Sequence, residues 1–106
     1  MLRGEVWSVF LNPTKGSEQK GLRPVIIISP NSMNKSLDTK VVVPLTTKVK
    51  PWPSRVQTEF KSIERQAMCE QIRTISSKRF VENLGDLSDG ELVEILSTIN
   101  ALYGQA

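Results

Sequence analysis

The run Pro24-Val25-Ile26-Ile27-Ile28-Ser29 is aliphatic and β-branched without a polar break. A run of this kind and length predicts a strand buried on both faces. Upstream, Gly4 to Leu11 (GEVWSVFL) is also β-rich, with Val6, Ser8 and Phe10 on one side and Trp7, Val9 and Leu11 on the other. Asn12-Pro13 stops it. Downstream, Lys40 to Leu45, Arg55 to Phe60 and Gln71 to Ile75 complete five predicted strands. Pro44, which has no N–H to give to a ladder, predicts an edge or a bulge in its strand. The connections are rich in Gly, Pro, Asn and Ser, and this spacing of short strands predicts a small, closed or nearly closed barrel.

The C-terminal part has a different period. Leu92, Ile95, Leu96, Ile99, Leu102 and Tyr103 recur at helical spacing, which predicts a helix over 89–103 with one apolar stripe. Ser88 and Glu91 form a capping box in which each side chain is expected to meet the other's backbone N–H. Leu87 and Leu92 stand at the positions of a hydrophobic staple, and Gly104 is placed to end the helix. The chain reads as one α+β domain over residues 1–106.

The 106 residues carry 14 Lys plus Arg, 11 Asp plus Glu, one cysteine and no histidine. The missing histidine excludes Ser-His-Asp and Cys-His catalysis and any zinc site that uses imidazole. Cys69 alone can form neither a four-cysteine zinc site nor an intrachain disulfide, and an unpaired thiol suits a reducing cytoplasm. No apolar stretch reads as a signal peptide or a membrane span, so a cytoplasmic protein without a membrane partner is expected. The charge is uneven. Residues 1–58 hold nine bases and three acids, a net +6, whereas 59–106 hold five bases and eight acids, a net −3. A basic half of this kind can attract a polyanion or an acidic peptide, or can simply be a solvated surface.

Three segments can carry chemistry. The polar stretch from Asn12 to Arg23 (NPTKGSEQKGLR) reads as a surface hairpin loop, but it delivers Arg23 to the start of the buried strand. A planar guanidinium held there is suited to gripping a phosphate. Val43-Pro44-Leu45-Thr46-Thr47-Lys48 ends a strand in two hydroxyls and an ammonium; Thr46 can donate to a phosphate oxygen or serve only in a turn. Beyond it, Trp52 stands between two prolines, placed either to stack on a base or to pack in a subunit interface. In the third segment, Cys69-Glu70-Gln71-Ile72-Arg73-Thr74-Ile75, strand alternation puts Glu70 and Ile72 opposite Gln71 and Arg73. Such polar side chains can read base edges or make structural hydrogen bonds.

Together these segments resemble the MazF/PemK family of toxins from bacterial toxin–antitoxin systems. Gly4-Glu5-Val6-Trp7, Pro13 to Gln19, Arg23-Pro24, Val43 to Thr46 and Glu70 to Ile75 occur in the family's order and spacing. The resemblance implies an SH3-like barrel with a C-terminal helix, a homodimer, and a metal-independent endoribonuclease that needs no cofactor. Its substrate is single-stranded RNA, mainly mRNA, cut by 2′-OH attack to leave a 2′,3′-cyclic phosphate and a 5′-OH. It places the family's arginine, threonine and loop glutamate on Arg23, Thr46 and Glu18. RNA contacts are expected from Lys15, Ser17, Gln19, Lys48, Trp52, Glu70 and Gln71. PemK-like members use a loop histidine, a strand arginine and an aspartate; Ser17, Met68 and Glu70 stand there, so the chain sits nearer the MazF branch.

This chemistry suits a chain without histidine, because RNA supplies its own nucleophile and the protein needs mainly to align it. Arg23 is expected to stabilise charge on the phosphoryl oxygens and Thr46 to position the phosphate. Glu18 or Glu70 can take the 2′-OH proton, with Glu18 the candidate base. An acidic antitoxin segment is the implied partner, docking on the basic 1–58 half. Two other readings share the fold: a CcdB-like gyrase poison, whose Trp-Gly-Ile tail is replaced here by Leu102-Tyr103-Gly104-Gln105-Ala106, and a non-catalytic RNA-binding barrel.

Overall fold

The structure, a computed structural model, describes residues 1–11 and 21–104. Seven strands and two helices follow in the order β1 (Glu5–Phe10), β2 (Leu22–Ile27), α1 (Asn31–Ser36), β3 (Thr39–Thr46), β4 (Arg55–Phe60), β5 (Ile63–Met68), β6 (Arg73–Ser76), β7 (Phe80–Asp86) and α2 (Asp89–Tyr103). The strands make one antiparallel sheet in the order β4-β5-β3-β2-β1-β7, with β6 also paired to β3. The sheet curls into a half-barrel. Its two ends approach through side chains: a Cβ on Gly85 of β7 would stand 3.4 Å from Phe60 Cζ of β4.

β2 is buried on both faces, as its sequence predicts. Ile26 and Ile28 join Val6, Val43, Leu45, Phe60 and Ile95 in one core cluster; Val25 and Ile27 join Val9, Val42 and Ile75 in another. Alternation in β1 obeys the same division, since Val6 faces the first cluster while Trp7, Val9 and Leu11 belong with the second. Helix α2 covers the first cluster with Ile95, Leu92, Leu96 and Ile99.

Helix α2 has the predicted bounds, but its cap differs in one bond. Ser88 Oγ accepts from the Glu91 N–H at 3.3 Å and donates to Glu91 Oε1 at 2.8 Å. The second carboxylate oxygen of Glu91 accepts the Glu59 N–H at 2.7 Å, tying the helix start to β4 instead of returning to the backbone of Ser88. At the other end Gly104 donates to the Asn100 carbonyl at 2.8 Å. A Cβ there would lie 2.5 Å from that oxygen, so close approach selects the glycine.

Three expectations need correction. Pro44 is on neither an edge nor a bulge: it pairs with Val25 in the middle of the sheet. On its other side β3 changes partner, from β6 at Val42 to β5 at Leu45, so no ladder bond is required of the missing N–H. The strand expected over 71–75 begins only at Arg73, because Cys69–Gln71 is a 3₁₀ turn, which breaks the alternation assigned to Glu70 and Gln71. Strands β5 and β7 and helix α1 were not expected from the sequence. Strands β4 and β5 are joined by a two-residue turn in which Lys61 and Ser62 have φ of 51° and 65°. Turns of this kind usually advertise themselves through Gly or Asn, and this one does not.

A basic cleft at the ends of β2 and β3

The antiparallel register of β2 and β3 pairs Val25 with Pro44 and Ile27 with Val42. The ladder ends there; by alternation Arg23 and Thr46, each two residues beyond the Val25–Pro44 pair on its own strand, fall on the face of the second core cluster, Arg23 paired with Val9 of β1 and Thr46 with Gln66 of β5. The core thus ends and a polar site begins along the same row, with Arg73, paired to Val42, on that face as well.

Two adjoining clefts open there. The first, about 250 Å³, is lined by Leu11, Gly21, Arg23, Pro44, Leu45, Thr46, Met68, Gln71 and Arg73. The second, about 390 Å³, is bordered by Arg23, Thr46, Thr47, Lys48 and Arg65 over an apolar floor of Leu22, Pro24 and Leu45. Arg23, Leu45 and Thr46 line both and make up their shared wall. Arg23 is exposed, and its Nη1 donates to the Leu22 carbonyl at 2.9 Å. Thr46 Oγ1 accepts the Lys48 N–H at 3.1 Å, which fixes the oxygen and leaves the hydroxyl proton able to donate.

Of the residues selected from sequence, the structure brings Arg23, Thr46, Lys48 and Gln71 to these clefts. Lys15, Ser17, Glu18 and Gln19 lie outside the described residues. Glu70 lines neither cleft. It accepts from Ser54 Oγ at 2.7 Å and from Arg55 Nε at 2.8 Å, an ion pair in which the Arg55 side chain is almost fully covered. Burial raises the Glu70 pKa, but the Ser54 hydroxyl, its own backbone N–H and the Arg55 guanidinium outweigh that and hold it below the ordinary value.

Trp52 is half-exposed beside the same knot, with the Arg55 guanidinium 4.6 Å and Lys50 Nζ 5.8 Å from its ring centre. Gln66, buried, clamps this segment by accepting the Lys50 N–H at 2.9 Å and donating to the Lys50 carbonyl at 3.1 Å. Tyr103 donates to the Cys69 carbonyl at 3.0 Å, so the end of α2 anchors the turn that presents Gln71. The Cys69 thiol is buried, and burial, then the Glu70 charge, pushes its pKa up to about 11, leaving it an inert core group.

The sequence reading missed Arg65 and Arg73. Arg73 was within reach, because it alternates with Gln71 in the quoted segment. Arg65 was not, because β5 itself was not recognised.

The Glu70–Arg55 pair carries a pH signature. A carboxyl whose folded pKa is depressed stabilises the fold above its unfolded pKa, and that contribution is lost as pH falls through the folded value. In urea titrations E70Q should be less stable than wild type at pH 7, with the full gap present above about pH 4.5 and closing as the pH falls further. A gap independent of pH between 3 and 7 would show that charge plays no part in this knot.

The molecule is thus of the class of small curled half-barrels with a C-terminal helix packed on the sheet, here with clefts at the strand ends lined by Arg23, Lys48, Arg65 and Arg73. The chain belongs to the family of PemK-like, MazF-like toxins of type II toxin–antitoxin systems, whose model matches residues 2–103. It is 34% identical over 108 residues to "Endoribonuclease MazF" of Staphylococcus epidermidis, spanning 96% of this chain and 90% of that protein. Among solved structures it resembles a mycobacterial endoribonuclease in complex with its cognate antitoxin (TM-score 0.85, 22% identity, 100% and 97% of the two chains). It also resembles a MazE–MazF structure from Deinococcus radiodurans (TM-score 0.83, 21% identity, 100% and 98%).

Proposed function

We propose that the whole chain acts as one toxin domain, an endoribonuclease that cuts single-stranded RNA in the cytoplasm. The observation that carries this reading is that Arg23 and Thr46 both belong to the wall shared by two cation-lined clefts. A phosphodiester seated on that wall has a guanidinium for its developing charge and a fixed hydroxyl to orient it. The 2′-OH of the preceding ribose attacks the phosphorus, the bond to the 5′-oxygen of the next nucleotide breaks, and a 2′,3′-cyclic phosphate remains. Glu18 is the proposed base. Glu70 is better employed holding Arg55 than receiving a proton, since its environment favours the carboxylate and turns it from the clefts.

Gln71 and Lys48 flank the wall and are proposed to contact the RNA, with Trp52 as a platform for an unpaired base. The antitoxin partner is an acidic segment that competes with RNA for the basic half, and the active species is a homodimer. Purified protein should cut a long single-stranded RNA in EDTA and leave gyrase supercoiling untouched. Gyrase inhibition without RNA cleavage would instead make it a gyrase poison, and RNA binding without cleavage a binding module.

A further inference from the structure

Arg65 occupies an unusual position on β5. It pairs with Thr58, whose hydroxyl donates to the Arg65 carbonyl at 3.1 Å. Its side chain is half-buried and borders the second cleft. The Nε of its guanidinium is buried and has no hydrogen-bond partner among the described residues. Nor does Arg65 have a carboxylate within ion-pair distance among them, in contrast to Arg55 on the neighbouring strand, which is matched to Glu70. Leaving a buried donor of a charged group unpaired is expensive, and such a group needs a reason to be there. Nε itself is closed to solvent, but the side chain that carries it borders the cleft. Arg65, Lys48 and Arg23 border it together with Thr46 and Thr47, and no acidic side chain borders it among the described residues.

We propose that this second cleft binds the RNA phosphate adjacent to the scissile one, with Arg65 and Lys48 as its ligands. The inference rests on the reading of the Arg23–Thr46 wall as the cleavage site. A strand that lays its scissile phosphate on that wall continues into the second cleft, where the next phosphate meets an unmatched guanidinium and an ammonium. Arg65 is then a positioning residue: it sets the register of the strand and touches no reacting bond.

The test is equilibrium binding of a labelled, mixed-sequence 12-nucleotide RNA with every 2′-OH methylated, which blocks cleavage, over a series of salt concentrations. R65Q is expected to weaken binding by about 3- to 10-fold and to reduce the slope of log K against log salt by about 0.7, the value of one lost phosphate contact on a single strand. R65K should restore the slope but only part of the affinity, since an ammonium keeps the charge and loses the fork. K61Q, which removes one positive charge in the β4–β5 turn, should leave the slope unchanged. A wild-type slope in R65Q, or an equal fall in K61Q, would overturn the proposal. Failure of the underlying reading shows separately, as R23A protein that cuts unmodified RNA at the wild-type rate.

Discussion

Arg23→Ala is expected to lower the rate constant for RNA cleavage by about 10²- to 10³-fold, the loss that follows removal of one preorganised group facing transition-state charge. The loss appears at saturating RNA, because a phosphodiester carries less charge on its non-bridging oxygens than the pentacoordinate state that follows 2′-OH attack. The fold should survive. Arg23 lies at the exposed start of β2, whereas the burial that holds the strand begins at Val25. Single-turnover rates on a long RNA, alongside thermal melts of both proteins, separate the two effects. Cleavage within a few-fold of wild type would remove Arg23 from the reaction, and a collapsed melting temperature would move its role to the fold.

The second large effect concerns the sheet. Ile26→Ala and Ile27→Ala are each expected to cost about 2–5 kcal/mol, the usual range for truncating a fully buried Ile. Both side chains have no accessible surface, yet they point into different clusters, one beneath α2 and the other against Val9, Val42 and Ile75. Urea unfolding at one fixed protein concentration measures this, since association of copies would otherwise shift the midpoint. A sheet with only one packed face would tolerate one of the two truncations almost freely. The consequence reaches the site, because the β2–β3 ladder formed by these residues ends next to Arg23 on one strand and Thr46 on the other.

How far the sequence carries this architecture depends on whether a pattern is local. Helix α2 is legible because its stripe, cap and terminal glycine all lie within residues 87–104, and each points to the same bounds. The burial of β2 is legible because six consecutive residues need no neighbour to announce it. Strand β5 is hidden because its turn uses Lys61 and Ser62 at positive φ, against the preference of both residue types. Strand β7, Phe80–Asp86, is hidden for another reason: it has no buried residue, so selection for apolar alternation is weak. The short helix α1 (NSMNKS) has a polar composition that reads as a loop, and it is held by the buried Asn34 donating to the Ser29 carbonyl.

The site shows the same division. Arg23 and Thr46 stand at strand ends that the sequence identifies, but that they line the same clefts is seen only in the folded sheet. Glu70 looks like a reader of bases in a linear strand pattern. The 3₁₀ turn at Cys69–Gln71 rotates it toward Arg55 and leaves Gln71 in the cleft. Arg65 needed a strand that the sequence conceals.

Across the molecule, the proposed chemistry asks the protein only to align a nucleophile that RNA already carries and to receive the charge that its attack creates. Mass spectrometry of the fragment ends made from single-stranded RNA in EDTA tests this most directly. The expected products carry a 2′,3′-cyclic phosphate on one side of the cut and a 5′-hydroxyl on the other. Fragments ending in a 3′-hydroxyl and a 5′-phosphate would mean that water, not the ribose, attacks the phosphorus, and would contradict the role given to Arg23 and Thr46.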